Sequence, residues 1–265
     1  MLLLTSTRYD KFLTNLRFNN LNGEPSPYLF LSLHYDRLRD AAAAHSWPDA
    51  LAALTFDALL DVCDAAVASY DGDADALRVR VTLSQEGQLL ATAFPTPALR
   101  RDPTAASFTR PLTDSATLYG PPMTIYIDTE PSPDNGLFTT TKTTERAIYN
   151  AARARVGLPP GAGGDYEVLL YNSEEHITES SIFNVAFFRS GQWVTPPVEE
   201  GCLPGVVRGW LLRNKRIREA KVGEITKSQM NPGDWVLLFN SVAGCVLARI
   251  ASTPPPAPTT PPPPT

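Results

Sequence analysis

Along this chain, stretches in which every second residue is apolar give way to stretches with apolar residues every three or four positions, and the change of period predicts the elements. "LLLTSTRYD" (2–10) reads as a strand, followed by a polar loop through "FNNLNGEPSPY". "LFLSLHYDRLRDAAAAHSW" (29–47) reads as a strand or extended segment turning into an alanine-rich helix that ends at Trp47-Pro48. The next stretch, "PDALAALTFDALLDVCDAAVASYDGD" (48–73), has helical spacing and stops at Asp71-Gly72. "ALRVRVTLS" and "LLATAF", joined across "EGQ", alternate and read as a hairpin. From about Phe94 to Pro122, proline, threonine and serine accumulate, which marks a connector. Beyond it come a strand, "MTIYIDTE", and a helix opening near Lys142. "DYEVLLYN" (165–172) and "HITESSIFNVAFFRSGQWVTPP" (176–197) are strand-rich, with turns at Asn172-Ser173 and Ser190-Gly191. "GVVRGWLLRN" starts a helix after Pro204-Gly205, and "DWVLLFNSVAGCVLARI" supplies the last strands. The pattern is α+β. It divides into a small N-terminal α/β unit over 1–115, a larger C-terminal unit over 116–251, and a proline-rich tail over 252–265. The tail has no means of building a core and is expected to be disordered.

Composition narrows the setting. A chain of 265 residues, 43% of them hydrophobic, can bury a core. The formal net charge of −5 argues against nucleic-acid binding, which normally shows a basic stripe. The one basic cluster, "RNKRIREAK" (213–221), reads as a solvated helix end. Cys63, Cys202 and Cys245 are too scattered for a disulfide framework, and His34, His45 and His176 show no ligand spacing, so no metal is expected. No signal-peptide core or membrane-length apolar run is present, so a soluble, cytoplasmic protein without a membrane partner is expected. Of the 23 basic residues only Lys11, Lys142, Lys215, Lys221 and Lys227 are lysines. A solvated face can use either cation, whereas imine chemistry needs a lysine amine.

Three segments give that amine a context. On a helix opening near Lys142, Arg146 and Tyr149 lie four and seven residues on, so all three would share one face. "ITESSIFNV" places Glu179 in an apolar alternating strand, where a carboxylate needs a partner; an edge-strand acid is the rival reading. "TPPVEEGCLPGVVRG" joins a strand end, a Pro-Gly turn and a helix N-terminus, whose free backbone N–H groups suit a phosphate. An amine, a buried carboxylate and a phosphate cup are what pyridoxal 5'-phosphate (PLP) requires.

With "HYDRL" (34–38), "FTTTKTTERAIYNAAR" (138–153), "EVLLYN", "ITESSIFNV", "WVTPPVEEGCLPGVVRG" and "FNSVAG" (239–244), the chain resembles the fold type IV, or class IV aminotransferase, family of PLP enzymes. It is most similar to the fungal 4-amino-4-deoxychorismate lyase-like and D-amino-acid aminotransferase-like branch. The resemblance implies a small N-terminal α/β domain and a larger C-terminal pseudo-barrel, with PLP between them and a homodimer completing the site. It implies Lys142 as the catalytic lysine that bonds the cofactor and Glu179 as partner of the pyridine nitrogen. Phosphate ligands would be Arg37, the backbone of Val206 and Val207, and the Ser241-Val242 turn. Taken without the resemblance, Arg37 reads equally well as a helix-surface arginine. The implied activity is a lyase of folate biosynthesis, releasing pyruvate and 4-aminobenzoate. The alternatives are a PLP-dependent aminotransferase with a D-amino acid, branched-chain or amine donor as its small amino substrate, and a PLP-binding or cofactor-free non-catalytic family member. Three departures bear on activity: Val207 stands where a hydroxyl residue is usual, Ser180 where glycine is usual, and Ala243 where this branch commonly has arginine.

Overall fold

The computed structural model describes residues 1–252 except 112, 135, 162 and 163; the expected disordered tail (252–265) lies outside the described residues apart from Ser252. The chain opens with strand β1 (Leu3–Asp10), the short pair β2 (Asn20–Leu21) and β3 (Glu24–Pro25), and three helices, α1 (Leu31–Ala44), α2 (Pro48–Ala53) and α3 (Phe56–Ala68). The hairpin of β4 (Ala76–Leu83) and β5 (Leu89–Pro95) joins β1 in an antiparallel sheet of order β1-β4-β5. Alternation sends Leu77, Val79, Val81 and Leu83 to the buried face; the last three meet Leu38, Ala42, Leu59 and Cys63 of the helices. The opposite face of this sheet carries Ser6 and Arg78.

After a connector with two short 3₁₀ turns come β6 (Met123–Ile127), α4 (Leu137–Thr140), α5 (Ala147–Arg155) and β7 (Tyr166–Tyr171). Then follow β8 (Ile177–Ser180), β9 (Asn184–Arg189), β10 (Gln192–Thr195), α6 (Val206–Arg213), β11 (Ile217–Glu219), β12 (Trp235–Asn240) and β13 (Gly244–Ile250). These eight strands form one sheet of order β11-β10-β9-β12-β13-β6-β7-β8. It is antiparallel except for the pairs β10–β11, β13–β6 and β6–β7. One core gathers Ile125, Leu169, Phe187, Val236 and Leu238, and a second packs Val207 and Leu211 of α6 on Leu237 and Phe239. Ser190 and Gly191, both at positive φ, close the β9–β10 hairpin as the sequence anticipates. Among the described residues no helix is long and apolar enough to cross a membrane.

Four expectations are corrected. Residues 29–47 have no opening strand, because α1 begins at Leu31 directly after Phe30 at φ 56°. The helix expected across 48–73 is two: Leu54 is extended, and Thr55 restarts the chain as a cap accepting from the Ala58 amide. The basic cluster 213–221 is a solvated helix end only over its first three residues, where α6 ends; the rest contains β11, with Ile217 buried beside β10. The helix expected to open near Lys142 opens five residues later, at Ala147. Lys142 itself lies on an extended segment against β1: the Leu4 amide donates to Lys142 O at 2.8 Å and the Thr144 amide to Leu2 O at 2.9 Å. Thr141, Thr143 and Thr144, the β-branched residues beside it, favour this extended path over a helical turn.

Candidate active site

A cleft of about 840 Å³ opens between the face of the small sheet that carries Ser6 and Arg78 and the ends of β8, β12 and α6. Arg37, Lys142, Arg146, Tyr149, Glu179, Val206, Val207, Ser241 and Val242 all line it. The shared helix face proposed for Lys142, Arg146 and Tyr149 does not exist. The three converge because the extended 141–146 segment turns into α5, where Arg146 stacks over the Tyr149 ring with its guanidinium carbon 5.0 Å from the centroid.

Among the described residues no hydrogen bond or ion pair holds the half-buried Lys142 ammonium. Burial lowers its pKa to about 8, the charges of Arg37 and Arg146 push the same way, and Glu179 opposes them. Glu179 is 5% exposed and accepts from Tyr149 Oη at 2.7 Å and from the Leu203 amide at 3.2 Å. Burial nevertheless raises its carboxyl above the ordinary carboxylate range. Burial also pushes the Tyr149 phenol well up, with the Glu179 charge adding to it.

Behind Glu179 lies a buried cluster with no sequence signature. Arg153 pairs with Glu167 at 2.5 Å, both essentially without solvent contact. Glu167 also accepts from Ser180 Oγ at 2.8 Å, Ser181 Oγ at 2.6 Å and the Ile182 amide at 3.0 Å. Ser180, which departs from the glycine usual in the resemblance, therefore has a partner of its own, and its Oγ accepts from the Phe183 amide to tighten the turn after Glu179.

On the opposite wall, α6 starts at Gly205 without a side-chain cap, so the first-turn N–H groups of Val206 and Val207 have no acceptor within the helix. Arg208 anchors this end by donating to Pro196 O and Glu219. Asn184 Nδ2 donates to Leu203 O at 2.7 Å, and a Cβ on Gly205 would come within 1.9 Å of Asn184 Oδ1. Arg37, on α1, donates from Nη2 to Thr5 Oγ1 at 2.5 Å, while its buried Nε has no partner. Thr5 in turn meets His34 Nδ1 at 2.6 Å. Ser241 and Val242 line the cleft, but the Val242 amide already donates to Asn240 Oδ1 at 2.9 Å, so it reaches a ligand only if Asn240 releases it.

A half-buried ammonium with no partner among the described residues, an orphaned guanidinium N–H, an uncapped helix start and a buried carboxylate form a donor set that fits an aldehyde bearing a phosphate and a basic ring nitrogen. The model of the amino-transferase class IV family matches residues 12–250. The chain belongs to this family. An aminodeoxychorismate lyase of Saccharomyces cerevisiae is 35% identical over 127 residues, 43% of this chain and 33% of that protein. A Schizosaccharomyces pombe protein provisionally given the same name is 42% identical over 126 residues, 47% of this chain and 54% of that protein. The match thus spans about half or less of the length of these relatives. A crystal structure of a provisionally named amino-acid aminotransferase from Mesorhizobium loti superposes with a TM-score of 0.65 at 23% identity, covering 94% of this class IV chain and 99% of the other. That likeness establishes the class IV fold. Sequence reasoning missed Arg78, Arg80 and Ser6 in the cleft; their alternation on β1 and β4 was the available signal.

Proposed function

We propose that the cleft binds PLP and releases pyruvate and 4-aminobenzoate from 4-amino-4-deoxychorismate, a reaction of folate biosynthesis. The observation that carries the reading is Lys142: a half-buried lysine without a partner among the described residues, in one cleft with a buried carboxylate and an uncapped helix start. The similarity to the two fungal proteins supports the lyase within the family. Arg37 and the amides of Val206 and Val207 would hold the phosphate, with Ser241 and Val242 forming the wall beside them. Glu179 would hold the ring nitrogen, Tyr149 and Arg146 would flank it, and Lys142 would bond the aldehyde carbon. When bound, PLP supplies a carbonyl that captures a primary amine and a ring that withdraws electrons from the carbon bearing that amine.

The chain's own contribution is proton handling and orientation. Once the substrate amine has taken its place on the aldehyde carbon, the Lys142 Nζ would be a free amine, whose pKa in the empty cleft is lowered to about 8, so it can take a proton from the substrate carbon and give one back as pyruvate leaves. Glu179 is fixed in direction by Tyr149 Oη and the Leu203 amide; burial raises its pKa, and a protonated ring nitrogen beside it would hold the carboxyl in its charged form.

The reading extends to organisation: a small unit over 1–115 and a larger one over 116–251 meet at the cleft, and the chain works as a cytoplasmic homodimer. Sedimentation of the purified chain checks the dimer, and a mass of one chain would exclude it. An aminotransferase is the second reading, favoured by the fold it shares with the Mesorhizobium loti protein. Incubation with PLP and 4-amino-4-deoxychorismate, without any keto acid, separates the two. The lyase gives more 4-aminobenzoate than there are active sites; an aminotransferase stalls until a keto acid is added.

A further inference from the structure

Strand β4 places Arg78 and Arg80 two residues apart on the face opposite Leu77, Val79 and Val81, and both side chains line the cleft. Antiparallel register sets Arg80 opposite Ser6, and Arg78 opposite Arg8. Arg8 is neutralised by Asp10 at 3.0 Å. The β4 pair is not: among the described residues no carboxylate lies within 4 Å of either guanidinium and neither donates a hydrogen bond. Arg78 is steered by the Phe94 ring, whose centroid lies 4.8 Å from its guanidinium carbon. Arginines pointing into solvent need no partner, but this pair is half-buried in a concave wall, and two like charges there repel across a partly desolvated space.

The charge of the whole cleft leads to the same place. Five cations line it against two carboxylates, Glu145 and Glu179. A phosphate held at Arg37 and the start of α6 leaves the β4 arginines over. The wall formed by Val242 and Ala243 offers no cation to a substrate carboxylate. A planar guanidinium with fixed N–H directions matches a carboxylate better than any other group of that size.

We propose that Arg78 and Arg80 are the substrate-carboxylate grip of this cleft, and that together they select an amine carrying two carboxylates over one carrying a single carboxylate. The proposal rests on the reading of the cleft as a PLP site and adds specificity to it.

Chorismate is a suitable probe, because it has two carboxylates and no amine and therefore reads the grip without the chemistry at Lys142. Calorimetric titration of the PLP-loaded protein with chorismate should show binding that weakens about tenfold in Arg78→Gln and in Arg80→Gln, and about a hundredfold in the double variant. 4-Aminobenzoate, with one carboxylate, should lose no more than about tenfold in the double variant. Lysine replacements, which keep the charge but not the fork, should recover part of the loss and guard against misfolding as the cause. PLP affinity should stay within about twofold in every variant. Chorismate binding that is absent in the unaltered protein, or unchanged in the double variant, overturns the proposal; so does a fall in PLP affinity parallel to that of chorismate. Arginine-dependent chorismate binding in a protein that releases no pyruvate from 4-amino-4-deoxychorismate would keep the grip and remove the lyase reading.

Discussion

Lys142 shows how a single residue carries opposed demands. Folding removes its ammonium from water beside Arg37 and Arg146, which lowers its pKa from the ordinary lysine value to about 8. Between those two values the unfolded chain holds more protons than the folded one, so in the cofactor-free protein this residue makes stability rise with pH across that window. Lys142→Met should therefore stabilise the cofactor-free protein at pH 7 by on the order of 1 kcal/mol, and the advantage should shrink toward pH 10. Thermal melts of both proteins across that range check it; a constant difference would show that the amine is not desolvated. The residue types were legible in the sequence: a rare lysine, an acid in an apolar strand and an arginine after "HYD". Their geometry was not. The sequence reading joined Lys142, Arg146 and Tyr149 through a helix that begins only at Ala147, because spacing alone cannot show that residues 141–146 pair with β1.

At the scale of elements, α6 and the turn after β8 build the two ends of the cleft. Both were visible as pattern, but what fixes them was not. Gly205 permits close approach of Asn184, Arg208 ties α6 to the end of β10, and Glu167 collects the serines beside Glu179. Buried polar clusters of this kind depend on residues far apart in the chain, and local periodicity does not encode them. Val207 is the weak point of α6, because a valine at the helix start supplies an amide but no hydroxyl. Val207→Thr keeps the shape, and should tighten PLP about tenfold if one hydrogen bond is restored, roughly 1.4 kcal/mol. Equilibrium titration with PLP measures this, and looser binding would mean that the start of α6 does not face the phosphate.

Across the whole molecule, β1 joins the two sheets at the cleft. It is a strand of the small sheet, it holds the Lys142 segment, and its Arg8 binds the β12–β13 turn, with the amide on Ser241 O at 3.1 Å and Nε on Val242 O at 2.6 Å. Arg8→Ala would leave the buried Asp10 without its cation, held only by the Phe12 and Leu99 amides, and should cost about 3 kcal/mol of stability in denaturant unfolding. PLP affinity should fall with it, because the Ser241–Val242 wall loses its tie; a variant as stable as the parent would show that the strand is not the join. The account as a whole rests on Lys142 as the residue that takes the cofactor. Borohydride reduction of the protein with bound PLP, followed by peptide mapping, tests this most directly. The pyridoxyl label should be found on the peptide containing Lys142. Label on Lys11, Lys215, Lys221 or Lys227, with Lys142 unmodified, would contradict it.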